Sequence, residues 1–316
     1  MFGRMEEDFP TTLPEFESRF STETACREYL VKLRWPQGFV CPRCTVREAW
    51  LTVRGLLVCR KCQFQVSVTA GTIFQDTRKP LMLWFRAIWW VTFQKNGASA
   101  LGIQRILGFG SYETAWTWLH KLRRAMIRPD RDRLAGRVEV DETFIGGLEE
   151  GRRGRGIERK ALVIIAAQED GAAIGRIRLK RIPDASRKEL HDFIRDTIEP
   201  GSVVRTDGWA AYGSMKNYQR ELVVLRTHKE NAITLLPRVH RVASLLKRWI
   251  LGTHQGSISS AHLEYYLDEF TFRFNRRHSA SRGKLFFRLM QNAVVTSPAP
   301  YKSIIKHIHS KSDHHK

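Results

Sequence analysis

From Arg137 onward, apolar and polar residues alternate along the chain. RVEVDETFIGG (137–147), KALVIIAAQED (160–170) and AIGRIRLKRI (173–182) predict three successive strands, with Glu169-Asp170-Gly171 as the hairpin turn between the last two. Ser186 and Glu189 then form a capping box at the start of SRKELHDFIRDTI, whose apolar spacing is helical. SVVRTD predicts a fourth strand, GWAAYGSMKNY a short helix, ELVVLR a fifth strand, and residues 233–250 a helix. The order βββαβαβα predicts an α/β domain with a sheet flanked by helices.

The chain before Arg137 is patterned differently. TETACREYLVKLRW carries Ala25, Tyr29, Leu30 and Leu33 at helical spacing and stops at Trp35-Pro36. Short β-like runs, LLVC and QVSVT, follow, and residues from about 80 to 128 are helical and rich in Trp. Within them, Gly108-Phe109-Gly110 separates two helices, and the second carries Ala115, Trp118, Leu119 and Leu122 on one face with Lys121, Arg123 and Arg124 late on the other. That pattern fits a helix-turn-helix laid against DNA, and equally two packed helices with a solvated basic face. The expected divisions are a leading helix (1–35), a cysteine module (36–76), a helical segment (77–130), the α/β domain (136–296) and a disordered basic tail (297–316).

Charge narrows the partners. With 53 Lys+Arg against 32 Asp+Glu, a formal +21, the chain is more basic than solubility requires, and a 42% hydrophobic content excludes a disordered basic tail protein. Nucleic acid and anionic membrane are the common acidic partners. The longest apolar run, Leu81 to Phe93, is broken by Arg86 and is shorter than the roughly 18 residues of a membrane span. The start MFGRMEEDFP lacks the basic-then-apolar order of a signal peptide, so a reducing cytoplasm is expected, with no membrane partner.

In that compartment, paired cysteines read as metal ligands. Cys41-Pro-Arg-Cys44 and Cys59-Arg-Lys-Cys62 have the two-knuckle spacing of a zinc ribbon, in which four thiolates close a tetrahedral, structural Zn²⁺ site. Disulfides or buried free thiols are the alternative. Cys26 has no partner in the pattern and is expected to be a small buried hydrophobe.

Two acids stand where strands end. Asp141 shares a strand face with Glu139, opposite Val138 and Val140, and Asp207 closes an apolar strand just before Gly208. Acids on neighbouring strands can hold two divalent ions about 4 Å apart for in-line attack on a phosphodiester; either one alone is more often a turn-former.

Taken together, CPRC, CRKC, VDETFIGG, TDGWAAY and SLLKRWILGTHQGSISSAHLEYYLDEFTFRFNRR resemble the zinc-ribbon insertion-sequence transposases of bacteria and archaea. The likeness runs from about Pro36 to Phe287. It implies the RNase H-like fold of DDE transposases and integrases: a mixed sheet flanked by helices, preceded by a zinc ribbon and a helix-turn-helix-like segment. It implies Asp141 and Asp207 as ligands of catalytic Mg²⁺ or Mn²⁺. The family's third ligand, a Glu or Asn a few residues before an SLLKR-like run, falls here on His240, a departure. Imidazole ligates Mn²⁺ or Zn²⁺ more readily than Mg²⁺. Val239, Val242, Leu246 and Trp249 form the core stripe of that helix, with His240 and Lys247 together at its edge, and the resemblance also implies a functional Lys at this interval. Glu264 and Glu269 are the fallback third acids.

The implied activity is metal-dependent cleavage of element ends and joining of their 3′ hydroxyls to target DNA. The implied partners are double-stranded DNA, as terminal inverted repeats and target, and a second copy of the chain in a homodimer or larger assembly. The implied setting is the nucleoid of a prokaryotic cell. An inactive relic that only binds DNA, or an RNase H-like nuclease that never joins strands, would share most of these features. GGLEEGRRGRGIERK (146–160) reads as a phosphate-ordering loop or a plain solvated one, and in FRFNRRHSASRGK the flanking Phe270 and Phe274 read as core.

Overall fold

The computed structural model describes residues 7–128, 131–146, 160–223, 235–256 and 258–306. Two compact units emerge. Residues 129–278 form one, and the chain on both sides of them, 1–128 and 279–316, forms the other.

In chain order, the flanking unit begins with α1 (Leu13–Arg19) and α2 (Glu23–Arg34), the strands β1 (Ala49–Leu51), β2 (Leu57–Cys59) and β3 (Gln65–Val66), then α3 (Leu81–Phe93), α4 (Ala100–Leu107) and α5 (Tyr112–Ala125). The inserted unit contains β4 (Arg137–Ile145), β5 (Ala161–Asp170), β6 (Ala173–Ile182), α6 (Arg187–Thr197), β7 (Val203–Thr206), β8 (Gln219–Leu222), α7 (Pro237–His254) and α8 (Leu263–Phe274). The chain then returns to the first unit with α9 (Arg282–Ala293) and α10 (Tyr301–Ile305).

The leading segment holds two helices rather than one. Thr12 and Thr22 each accept a hydrogen bond from the backbone N–H three residues on, so the chain is capped twice. The Cys26 side is fully buried, and burial pushes its thiol up to about 12, as suits a core residue. The core of this unit is aromatic. Phe286 of α9 lies 5.6–6.3 Å, ring centroid to centroid, from Phe16, Phe20, Tyr29, Phe85 and Trp89. The residues placed at 279–296 in the α/β domain therefore belong to the other unit: α9 buries Leu285, Phe286, Phe287, Leu289 and Met290. The tail is also less disordered than its composition suggests, since α10 buries Ile304; residues 307–316 lie outside the described ones.

Helices α4 and α5 are separated where predicted, with Gly108 in the left-handed conformation (φ 64°) ending the first. Trp118 of α5 stacks on Trp84 of α3 at 3.6 Å. Arg123 departs from the expected basic face. It is fully buried, with Nη1 3.5 Å from His120 Nδ1, so it is a core residue.

In the inserted unit the sheet order is β6-β5-β4-β7-β8, with β5 antiparallel to its neighbours β4 and β6, and β7 and β8 parallel to β4. This is the RNase H-like arrangement: a tight turn joins β5 to β6, and crossovers bring β7 and β8 in parallel to β4. Alternation sorts the faces. Val138, Val140, Ile164 and Val204 pack under Leu190, Phe193 and Ile194 of α6. On the other face Ile145, Val163, Ile165 and Ile177 pack under Val239, Val242 and Leu246 of α7 and Leu267, Phe270 and Phe274 of α8.

Three predicted elements change length. The short helix at 208–218 reduces to a 3₁₀ turn, Ala210–Tyr212, because Gly213 (φ 39°) ends it. The fifth strand is Gln219–Leu222, and the part of its predicted span from residue 224 on lies outside the described residues. The last predicted helix starts at Pro237, whose fixed φ suits a first helical position, and runs on to Gln255 in the left-handed conformation (φ 50°). The basic loop's residues 147–159 also lie outside the described ones. Among the described residues no helix is long and apolar enough to cross a membrane.

Candidate functional site

The cysteine module is built from one backbone pattern used twice. Cys41 N–H donates to Val46 O (2.9 Å) and Thr45 N–H returns to Cys41 O (2.9 Å); Cys59 N–H donates to Phe64 O (3.0 Å) and Gln63 N–H returns to Cys59 O (3.1 Å). Thr45 (φ 61°) and Gln63 (φ 54°) both take the left-handed conformation that tightens each knuckle. The antiparallel β1–β2 pairing, Ala49 opposite Cys59, carries the second knuckle back to the first. The four sulfur atoms lie mutually within 4.8 Å, with Cys41–Cys62 at 3.6 Å and Cys44–Cys59 at 3.5 Å. A tetrahedron with Zn–S bonds of 2.3 Å has edges of about 3.8 Å, so the donor set fits zinc without rearrangement. Backbone N–H groups of Cys62 and then Lys61, aimed at Cys59 Sγ, bring that thiol down to about 7, favouring the thiolate a metal needs.

In the inserted unit, odd-numbered residues of β4 face α7 and even-numbered ones face α6. Parallel pairing of Arg137, Val138 and Glu139 with Val203, Val204 and Arg205 fixes the register, and continuing it two residues sets Asp207 level with Asp141. Asp141 is the middle residue of β4, and Asp207 follows directly on the last residue of β7, the strand beside it. His240 of α7 brings Nε2 to 3.8 Å from Asp141 Oδ2. Burial raises the pKa of Asp141, the Glu142 N–H (2.9 Å to Oδ1) and then His240 pull it down, and the charge of Asp207 pushes it up.

Two residues beside these acids were not singled out by pattern. Glu142, on the α6 side of β4, accepts a hydrogen bond of 2.5 Å from the hydroxyl of the fully buried Tyr212. Burial pushes Glu142 up to about 7, against the pull of Tyr212 and with the push of Asp141 and Asp207. Tyr212 itself is raised well above its usual range, by burial first and by Glu142 next. Like-signed acids held together on the central strand and beside the end of its neighbour favour a cation there. The sequence signal for both was adjacency: Glu142 follows Asp141, and Tyr212 ends TDGWAAY.

The supports come from further away. Asp207 Oδ1 accepts the Trp209 N–H (3.0 Å), and Arg220 of β8 donates to Thr206 Oγ1 (3.1 Å) and Asp207 O (3.0 Å), pinning the strand end and the turn after it. Glu139, fully buried, caps α7 from the sheet. Its Oε2 accepts the N–H groups of Arg238 (2.7 Å) and Val239 (3.1 Å), and its Oε1 accepts Arg238 Nη1 (3.0 Å). Glu139 is two residues before Asp141 and Arg238 two before His240, so the cap sets the facing pair beyond it.

Lys247 is exposed two turns further along α7, about 10 Å on. Glu269 is fully buried and held by Arg273 Nη2 at 2.8 Å, which occupies this fallback acid. Among the described residues the four cysteines are the one set of three or more ligand atoms within 4.8 Å of each other. Asp141 and His240 meet, and Asp207 joins them through charge and register.

Two known family domains match the chain. The ISXO2-like transposase domain matches residues 133–275, almost the whole inserted unit, and the transposase zinc-ribbon domain matches residues 21–65. The chain belongs to the zinc-ribbon transposases of insertion sequences. A relative from Halobacterium salinarum, described as an uncharacterized protein in transposable element ISH50, is 26% identical over 277 residues, covering 80% of this chain and 91% of its own length. The transposase zinc-ribbon match takes in α2 as well as the strands. Arg34 at the end of that helix donates to Ser67 O (3.1 Å) and Val68 O (2.7 Å), which ties it to the ribbon's exit.

Proposed function

We propose that this transposase cleaves the ends of its element and joins the freed 3′ hydroxyls to target DNA, with Asp141, Asp207 and His240 as ligands of two Mg²⁺ or Mn²⁺ ions. The observation that carries the reading is His240 Nε2 at 3.8 Å from Asp141 Oδ2 in the middle of β4, with Asp207 just past the end of the neighbouring β7 and close enough for its charge to act on Asp141. An oxygen donor such as Asp141, whose pKa is pushed up first by burial and also by the charge of Asp207, is suited to a divalent cation, which restores the balance of charge. When bound, such ions supply Lewis-acid activation of water or a 3′ hydroxyl and of the scissile phosphate.

The chain's own residues position and orient. Arg220 holds the Thr206–Asp207 strand end, and Glu139 holds the start of α7, so the carboxylates and His240 keep their mutual placement. Lys247, exposed on α7, takes a phosphate of the cleaved strand. The ribbon, α4 and α5 supply DNA contacts, and because both element ends must be held at once the working form is a dimer or larger.

The test is cleavage and joining of duplexes carrying the terminal repeats. Asp141→Asn and Asp207→Asn should each lower cleavage by about a hundredfold or more while leaving DNA binding within about twofold, since the phosphate-binding basic surface is untouched. Near wild-type cutting by either variant in Mg²⁺ removes that residue from the site. Cleavage without joining supports a nuclease, and binding without cleavage supports an inactive relic.

A further inference from the structure

Among the described residues of the inserted unit two large aromatic side chains are exposed, Trp209 (53%) in the turn after β7 and Phe144 (45%) near the carboxyl end of β4. Phe144 is three residues after Asp141 on β4, and Trp209 two after Asp207. Trp209 is held at three points. Its N–H donates to Asp207 Oδ1 (3.0 Å), its indole Nε1–H donates to Ala185 O (3.2 Å), and its carbonyl accepts Arg220 Nη2 (3.4 Å). Ala185 lies three residues past Ile182, whose partner across the sheet, Leu162, is itself paired with Phe144. The indole thus bridges from the end of β7 to the loop after β6, at the sheet end where Phe144 stands.

We infer that Trp209 is a stacking platform for unpaired nucleobases at the cleavage position, so that the DNA substrate is opened where it is cut. This deepens the proposed function and rests on it. An indole whose donor is satisfied and whose ring stays in water offers a flat apolar face, which every base can cover regardless of sequence. Its fixed position beside Asp207 means that a base stacked on it brings its own phosphate to the carboxylates. The exposed Arg187, whose guanidinium reaches Ser214 O at 3.4 Å just past the same turn, supplies a positive charge for that backbone. A duplex conceals its base faces, so the platform discriminates between paired and opened DNA.

The experiment measures binding of the full chain to two fluorescein-labelled duplexes of equal length, one fully paired and one with a central bubble of mismatched nucleotides containing 2-aminopurine. No divalent cation is added, so the result does not depend on cleavage. Wild type should bind the bubble more tightly and quench its 2-aminopurine. Trp209→Ala should weaken bubble binding by about tenfold or more, abolish the quench and change paired-duplex binding by less than about twofold. Trp209→Phe should keep most of both. Leu222→Ala, which removes an equally exposed side chain (53%) from the end of β8, should change neither. Equal weakening of both duplexes by Trp209→Ala, or no weakening of either, overturns the platform. Sedimentation showing that Trp209→Ala converts an oligomer to monomer also overturns it, and makes the ring a contact between copies. Loss of cleavage in wild type with the bubble preference intact would count against the proposed function and leave the platform standing.

Discussion

Replacing Glu139 by Gln keeps the shape of a fully buried side chain and removes its charge. In the native chain the carboxylate satisfies two backbone N–H groups at the start of α7 and the Arg238 guanidinium, with Arg205 Nη1 3.5 Å away. Glutamine leaves one acceptor oxygen for these donors and turns an NH₂ toward them. Removing one partner from a buried ionic set costs about 3–5 kcal/mol; because Glu169 still pairs with Arg205 (3.1 Å) and Arg238 (3.2 Å), the lower end, about 3 kcal/mol, applies. At about 1.4 kcal/mol per tenfold, local opening of the helix start becomes about a hundred times more frequent. Hydrogen exchange of the full chain, read by mass spectrometry on peptides spanning residues 236–246, should accelerate by that factor, and peptides from α6 should change far less. A change below about threefold in the α7 peptides would refute the cap. Cleavage should fall in the same variant, because His240 loses its station opposite Asp141.

Two other expectations follow from the metal sites. The chain should carry one zinc per protomer, and Cys59→Ser should lose it, with elemental analysis as the measure; undiminished zinc in that variant would show the ribbon is closed by other atoms. If His240 completes the catalytic site, Mn²⁺ should support cleavage better than Mg²⁺, His240→Ala should fail in both, and His240→Glu should shift preference toward Mg²⁺; wild-type rates in His240→Ala would move the third ligand elsewhere.

What was legible in the chain was whatever repeats over short distances. The alternation of Val138, Val140 and their neighbours gave the strands and the face shared by Glu139 and Asp141, and the CxxC spacing marked the ribbon. Pairing partners distant in sequence were not legible. Nothing near Glu139 announces that it caps a helix beginning at Pro237, since the bond joins residues about a hundred positions apart. Arg123 looked like one more surface charge because helical spacing does not say what packs against a late turn. Phe286 sits in a regular amphipathic helix that would suit either unit, and only the rings it meets decide between them.

The position of Phe286 has a consequence for how the chain comes off the ribosome. The sheet unit is contiguous, so all of its elements have been made by residue 278, while the aromatic cluster of the flanking unit waits for a ring made after them. A nascent chain therefore completes the sheet that carries the acids before it completes the core of the unit that holds the zinc ribbon. Translation halted before residue 286 leaves Phe16, Phe20, Tyr29, Phe85 and Trp89 without the ring that joins them, so unfinished chains carry an exposed apolar face of the kind that chaperones and proteases select.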